Sequence, residues 1–220
     1  MKVSAKAFLF DLNGTIIDDM HYHAEAWHQV LNDVLGAKLS WDEVREQMYG
    51  KNSEVLDRIF GENHFAKEQV QDLSVEKEQR YQQAYKPHLK LIDGLRDFLD
   101  EAKAHDVKMA IASAAINGNV DFILDNLDIR SFFDAVVSAD DVRTSKPDPE
   151  TFLKAAEKLK TKATDCIVFE DAPKGVEAAQ NAGMKCVAIT TAHPKEDFSQ
   201  YDNVVAFVAD YTDPFIREFF

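Results

Sequence analysis

Cysteine is scarce in this chain. Of 220 residues only Cys166 and Cys186 are cysteine, and both sit in apolar runs, CIVFED and KCVAIT. Two thiols build no disulfide framework and neither falls in a Cys-x-x-Cys pair, so buried, reduced thiols in a cytoplasmic protein are expected. Long hydrophobic runs are also lacking. No segment approaches the ~18 continuous apolar residues of a membrane span, so no membrane partner is expected. The opening segment MKVSAKAFLFDLNG carries no cleavage signature; its short apolar run ends in an acid and reads as a buried first strand rather than a signal peptide. Basic charge is in deficit: 25 Lys and Arg against 39 Asp and Glu leave a formal net charge of -14. Such a chain repels a phosphate backbone overall. That excludes a general nucleic-acid binder and leaves room only for a local cationic pocket that takes a small anion. There is no internal repeat and no low-complexity segment.

What is present is the composition of a packed core, with 45% hydrophobic and 29% charged residues. Six short apolar runs read as strands: Ala7–Asp11, Val107–Ser113, Phe133–Ser138, Cys166–Glu170, Met184–Thr190 and Val204–Val208. They are apolar throughout rather than alternating, which suits strands covered on both faces. Amphipathic stretches lie between them, at Gly94–His105, Asn117–Leu127, Pro149–Leu159 and Lys174–Ala182. Strand and helix in alternation predict a parallel sheet. The interval 18–87 breaks the rhythm and reads as helices only: Tyr22–Leu35, Trp41–Tyr49, Glu54–Phe60 and Lys67–Tyr85, with breaks at Gly50 and Asn63. It is expected to be an inserted cap, leaving residues 1–17 and 88–220 as the core. Lys86-Pro87 marks its exit, because the residue before proline disfavours helix. The apolar tail Pro214–Phe220 is expected to dock as a short helix.

Four polar sites fall at predicted strand ends. Asp11 closes the first strand in Asp11-Leu12-Asn13-Gly14-Thr15, where ligands of a parallel sheet bind. Ser113 ends MAIAS, and a hydroxyl with the following backbone N–H groups can cradle a phosphate; Asn117 would start the next helix. Lys146 sits in SKPDP, a proline-stiffened loop that offers a point cation. Glu170-Asp171 follows CIVFE as a hard oxygen pair suited to Mg²⁺. Singly, these read as a turn, a cap, a solvated lysine and a helix start. In this order they assemble a nucleophile, an anion cradle, a cation and a metal, which is what phosphoryl transfer needs.

On these residues the chain resembles the haloacid dehalogenase superfamily of phosphotransferases, and within it the β-phosphoglucomutase-like subfamily. The resemblance runs from Lys6 to Val208 through FDLNGTIIDD, YHAEAW, IASAAINGN, SKPDPETF and FEDAPKGVEAAQNAG. It implies a Rossmann-like doubly wound parallel sheet with an inserted four-helix cap. It implies an Mg²⁺-dependent phosphatase or phosphotransferase acting on a small phosphorylated metabolite, and the chain is expected to act as a monomer. Asp11 would be the nucleophile that becomes an aspartyl phosphate. Asp11, the backbone carbonyl of Asn13 and Asp171 would hold the metal, with Glu170 beside them. Ser113, the Ala114 N–H and Lys146 would hold the transferring phosphate, and Asn117 matches a residue near it. His23 and Lys77 match cap or hinge positions that help close the site; by pattern alone they read as a helix-face histidine and a solvated lysine.

Two positions depart from the pattern. Asn13 stands where the family carries a second Asp that protonates the leaving oxygen. An amide shuttles no proton, and losing a general acid typically costs on the order of 10²–10⁴ in rate. Three explanations stay open: a substrate with a good leaving group such as an acyl phosphate or pyrophosphate, a proton from another residue such as His23, or a catalytically weak protein that only binds. After Gly50, where β-phosphoglucomutase places an arginine for a second phosphate, the chain has Lys51, one charge without a bidentate fork. That weighs against a hexose-phosphate mutase and leaves it as the alternative enzyme reading.

Overall fold

The computed structural model describes residues 5–220. The chain divides into two compact units, one running up to Asp18 and resuming over Lys90–Phe220, the other Asp19–Leu89. The first four residues of the expected core segment lie outside the described residues.

The first unit is built on six strands: β1 Ala7–Phe10, β2 Lys108–Ala112, β3 Ala135–Val137, β4 Cys166–Glu170, β5 Lys185–Ile189 and β6 Val204–Val208. Their spatial order is β3-β2-β1-β4-β5-β6, and every neighbouring pair is parallel. Parallel neighbours need crossovers, supplied here by α5 Leu95–Ala104, α6 Asn117–Asn126, α7 Glu150–Lys158 and α8 Pro173–Asn181. This is the expected Rossmann-like α/β sheet. All six predicted strands form, four of them shorter than expected by one to three residues. Asp11 and Ser113 fall just past the end of their ladders and are thereby released for other partners. The order reverses at β1, which lies between β2 and β4, so the crevice outside its carboxyl end is where a ligand of such a sheet binds.

Alternation along the strands divides the core. Ala7, Leu9, Ala110, Ala112, Cys166 and Val168 pack in one buried cluster with Phe152 and Ala155 of α7 and Val176 and Ala178 of α8. Their neighbours Phe8, Phe10 and Phe169 form an aromatic layer. Phe10 stacks on Phe169 at 4.8 Å between ring centroids, and Phe8 lies 5.3 Å from Phe98 of α5. Small residues let the α7–α8 layer approach one side, while large rings fill the other. The tail forms the expected short helix, a 3-10 turn over Pro214–Phe219, and the Phe220 ring sits 5.7 Å from Phe8. Both cysteines are free and buried, and burial pushes the Cys166 thiol up to about 11.

The second unit holds α1 Met20–His28, which continues as a π-helical turn over Gln29–Val34, then α2 Trp41–Gln47, α3 Asn52–Phe60 and α4 Lys67–Tyr85. Trp27, Val30, Leu31, Val44, Val55 and Leu56 form its own buried core. Ser40 and Glu43 make a capping box that starts α2: the Ser40 N–H donates to Glu43 Oε2 at 2.7 Å and the Glu43 N–H to Ser40 Oγ at 3.3 Å. Gly50 and Asn63 stand at φ 77° and 60° in the connections around α3, the left-handed turns that stop one helix before the next. No helix among the described residues is long and apolar enough to cross a membrane.

Gly94, at φ +77°, starts α5 where the backbone at 211–212 passes close by. A Cβ there would lie 2.7 Å from both Thr212 N and Tyr211 C. Gly94→Ala combines a disfavoured backbone conformation with a clash against main chain, and is expected to cost about 2 kcal/mol or more. A urea unfolding midpoint equal to that of the unchanged protein would contradict this account.

Candidate active site

The registers place the predicted residues. Phe10 pairs with Ile111 on one side and Phe169 on the other. The next residue, Asp11, therefore comes level with Ala112 and Glu170. The Asp11 N–H is held on the Phe169 carbonyl at 3.0 Å, so the chain is still pinned where it leaves the sheet. Lys146 reaches into this point from the loop before α7. Its Nζ donates to Asp11 Oδ1 at 2.6 Å, to Glu170 Oε1 at 2.7 Å and to the Ala112 carbonyl at 3.0 Å, and stands 4.6 Å from the centre of the Phe152 ring. Asp11, Lys146, Glu170 and Asp171 are all buried.

Adjacent residues on an extended chain point opposite ways. Glu170 turns to Lys146, and its second oxygen accepts the N–H groups of Asp171 and Ala172 at 3.0 and 2.9 Å. Asp171 turns the other way: its Oδ1 accepts from Thr15 Oγ1 at 3.3 Å, and it packs so tightly on Gly14 that a Cβ there would lie 2.1 Å from Oδ2. Gly175 is likewise filled by Glu170, 1.8 Å from where its Cβ would stand. These two glycines leave the space that the carboxylates occupy.

Charge in this centre is unbalanced. Burial pushes the Asp11 carboxyl up to about 6 against the pull of Lys146, with Glu170 adding to the rise. Burial, then Glu170 and Asp11, hold the Asp171 carboxyl well above the usual carboxylate range. Burial works against the Lys146 charge, but Asp11 and Glu170 outweigh it and raise its pKa. Three carboxyl groups thus share one ammonium. A divalent cation on hard oxygen donors would complete that balance, and oxygen donors are what Mg²⁺ takes. Among the described residues no three His, Cys, Asp or Glu side chains converge as a ready-made metal cluster. Glu170 is engaged by Lys146 and two N–H groups, which leaves the carboxylates of Asp11 and Asp171 as side-chain oxygen donors, and Mg²⁺ ordinarily keeps several waters. The residues fit the ion.

Ser113 follows β2 with its N–H on the Val137 carbonyl at 2.9 Å and its Oγ accepting from the Ala115 N–H at 3.1 Å, a tight turn that carries Ala114. Asn117 begins α6 on the surface, with its N–H on Asp140 Oδ2 at 2.9 Å. Two predicted residues meet inside the helical unit: Lys77 Nζ stands 2.7 Å from His23 Nδ1. Both are buried rather than solvated. Lys77 also donates to Glu78 at 3.1 Å, and burial lowers its pKa against the pull of Glu78. Lys51 sits at the start of α3 with its N–H on Glu54 Oε2 at 2.9 Å.

Sequence reasoning missed several partners. Thr15 and Thr191 stand at the strand ends, and Thr191 Oγ1 donates to the Gly14 carbonyl at 2.6 Å. In the helical unit Asp19 accepts from the Tyr81 hydroxyl at 2.5 Å and lies 3.4 Å from His23 Nε2, while the His23 ring stacks on Tyr81 at 3.7 Å. Asn52 donates to Glu78 at 2.7 Å. Thr15 lies inside the motif already noted, so its position was visible; the others are joined by no spacing.

The haloacid dehalogenase-like hydrolase family model matches residues 8–189. A validoxylamine A 7'-phosphate phosphatase of Streptomyces hygroscopicus subsp. limoneus is 30% identical over 199 residues, 90% of this chain and 91% of that protein. The β-phosphoglucomutase of Bacillus subtilis is 32% identical over 197 residues, 86% of this chain and 85% of that one. The crystal structure of a family IA, variant 3 hydrolase from Entamoeba histolytica superimposes with a TM-score of 0.86 at 27% identity, covering 97% of each chain. Because the family match runs from β1 through β5, and so takes in every strand that carries part of the centre, the chain is an enzyme of the haloacid dehalogenase-like hydrolase family.

Proposed function

We propose that the chain hydrolyses a small phosphorylated metabolite through an aspartyl phosphate on Asp11. The observation that carries this reading is the Lys146 ammonium, 2.6 Å from Asp11 and 2.7 Å from Glu170 in a buried centre. Lys146 fixes the nucleophilic carboxylate and places a positive charge where a phosphoryl oxygen would enter. Asp11 attacks phosphorus with one carboxylate oxygen. The Ser113 hydroxyl and the Ala114 N–H would take phosphoryl oxygens at the end of β2. Asp11, the Asn13 carbonyl and Asp171 would hold Mg²⁺, which when bound offsets negative charge on the phosphoryl group. Glu170 is assigned to Lys146 as its orienting partner rather than to the metal, because both its oxygens are already engaged. Asn117, at the start of α6, is assigned to recognition of the substrate. One relative is a phosphatase named for validoxylamine A 7'-phosphate and another a β-phosphoglucomutase, which supports a sugar-like phosphate as substrate.

The 32% identity to the mutase favours hexose-phosphate isomerisation as a second reading. Incubation with β-glucose 1-phosphate and Mg²⁺ separates the two: a hydrolase releases inorganic phosphate, and a mutase yields glucose 6-phosphate.

Lys146→Met is expected to lower kcat/KM on phosphate esters by about 10²–10³, the usual loss for one preorganised donor at developing charge. Unchanged turnover in that variant would remove the observation on which the reading stands. A second expectation concerns pH. Burial raises the Asp11 carboxyl from the ordinary carboxylate range to about 6 in the folded chain. The folded state thus holds a proton that the unfolded chain gives up. The stability this adds is full below the unfolded value and is lost as pH rises through about 6. With EDTA present, the melting midpoint should carry a component that falls across this range. Mg²⁺ should raise it more at about pH 7.5 than at about pH 5, where protons compete for the same oxygens. An equal Mg²⁺ shift at both pH values in differential scanning fluorimetry would contradict the assignment.

A further inference from the structure

We infer that Thr191 is a positioning residue for the metal: by holding the Gly14 carbonyl, it keeps the Asn13 carbonyl beside the Asp171 carboxylate. This rests on the phosphohydrolase reading and on its assignment of Mg²⁺ to the ends of β1 and β4. It adds a residue that acts through its neighbours rather than on the substrate.

The turn after β1 has a soft joint at Gly14. This residue stands at φ +73°, and a Cβ there would lie 2.1 Å from Asp171 Oδ2. Only glycine fits so close to that carboxylate, and glycine brings more backbone freedom than any other residue. Gly14 joins two peptide planes. The plane before it carries the Asn13 carbonyl, and the plane after it carries the Gly14 carbonyl. Rotation about Gly14 turns one against the other, so holding the second limits how far the first can turn.

Hydrogen bonds hold the turn on both sides of this joint. The N–H groups of Thr15, Ile16 and Ile17 converge on the Leu12 carbonyl at 3.4, 2.8 and 3.4 Å. The buried Tyr211 hydroxyl donates to the Thr15 carbonyl at 3.1 Å. The Gly14 carbonyl accepts from Thr191 Oγ1 at 2.6 Å, from a residue 177 positions along the chain.

The strand order gives that last bond its direction. β4 lies between β1 and β5. Thr191 stands two residues past the end of β5, so it reaches the turn across the end of β4, where Asp171 follows. The turn is thereby drawn against Asp171, which it also meets through the Thr15 hydroxyl at 3.3 Å. One hydroxyl from a third strand holds together the two segments that would supply the Asn13 carbonyl and the Asp171 carboxylate. Partners that orient ligands in this way typically contribute about 10–100-fold in metal affinity. Thr190 is the comparison within the same loop. Its hydroxyl donates to the Val208 carbonyl at 3.3 Å, tying β5 to β6 and not to the turn.

Isothermal titration calorimetry of Mg²⁺ into the metal-free protein reads the Kd without turnover. Thr191→Val and Thr191→Ala both remove the donor and are expected to raise the Kd by about 10–100-fold. Thr191→Ser keeps the hydroxyl and should restore the affinity, while Thr190→Val should bind Mg²⁺ as the unmodified protein does. Urea unfolding midpoints in EDTA report whether each variant is folded. In phosphate release from phosphate esters, the Mg²⁺ concentration for half-maximal rate should rise with the Kd. An unchanged Kd in a folded Thr191→Val or Thr191→Ala variant, an equal loss in Thr190→Val, or a loss that serine does not restore overturns the inference and leaves the phosphohydrolase reading standing. Failure of both donor-free variants to fold also overturns it, because the hydroxyl would then serve stability rather than the ion. An unmodified protein that releases phosphate but takes up no Mg²⁺ overturns the inference together with the metal assignment. Release of phosphate from none of the esters overturns the phosphohydrolase reading as well.

Discussion

A lysine ammonium buried against two carboxylates is costly to assemble, because each charge must leave water and is stabilised only while its partners stay in place. Lys146 meets that condition with Asp11, Glu170 and the Ala112 carbonyl, and its charge also faces the Phe152 ring. The constraint reaches through the whole first unit. It requires β1 between β2 and β4, a loop before α7 that delivers the lysine, and small residues at 14 and 175 that leave room for the carboxylates. The imbalance of three acids against one cation suits the centre to a divalent ion.

The helical unit is organised on the same rule with different groups. Asp19, Tyr81, His23, Lys77, Glu78 and Asn52 are linked by hydrogen bonds and ring stacking. Buried polar groups persist when they satisfy one another, and such networks select one packing over its alternatives. Here the network joins the start of α1, the start of α3 and the middle of α4, which fixes how these helices stand against each other. Lys77 reads as one of a run of surface charges in EKEQR, yet it is buried; the periodicity of a charged helix does not reveal which of its charges finds a partner.

Much of the fold was legible. The strands are continuous apolar runs because both faces are covered, and the segment 18–87 offers only helical patterns. Each predicted strand and helix formed, with ends moved by no more than two residues once the π-helical turn after α1 is counted, since local pattern does not say where the last ladder or helical bond is made. The candidate site was legible through order rather than through any one residue: Asp11, Ser113 and Glu170-Asp171 fall at strand ends that the sheet brings together, and Lys146 comes to them from the loop before α7. Asn117 and Lys51 were named for chemistry, and the structure shows their N–H groups on Asp140 and Glu54. The division of labour between Glu170 and Asp171 was not legible, because the pattern shows two adjacent acids and only the pleat turns one to Lys146 and the other to Thr15.

Taken alone, the sequence determined the alternation of strand and helix, the helical interval within it, the excess of acid and the amide at position 13. These are properties of neighbours along the chain, where hydrophobic period and residue chemistry act over a few positions. Only the tertiary structure decided that Lys146, from a loop 135 residues beyond Asp11, gives its hydrogen bonds to that carboxylate and to Glu170, and that Lys77 and His23, 54 residues apart, share one bond. Such contacts are set by how sheets and helices stack. Because burial makes an unpartnered charge expensive, the groups that end up inside are those whose distant partners arrive with them.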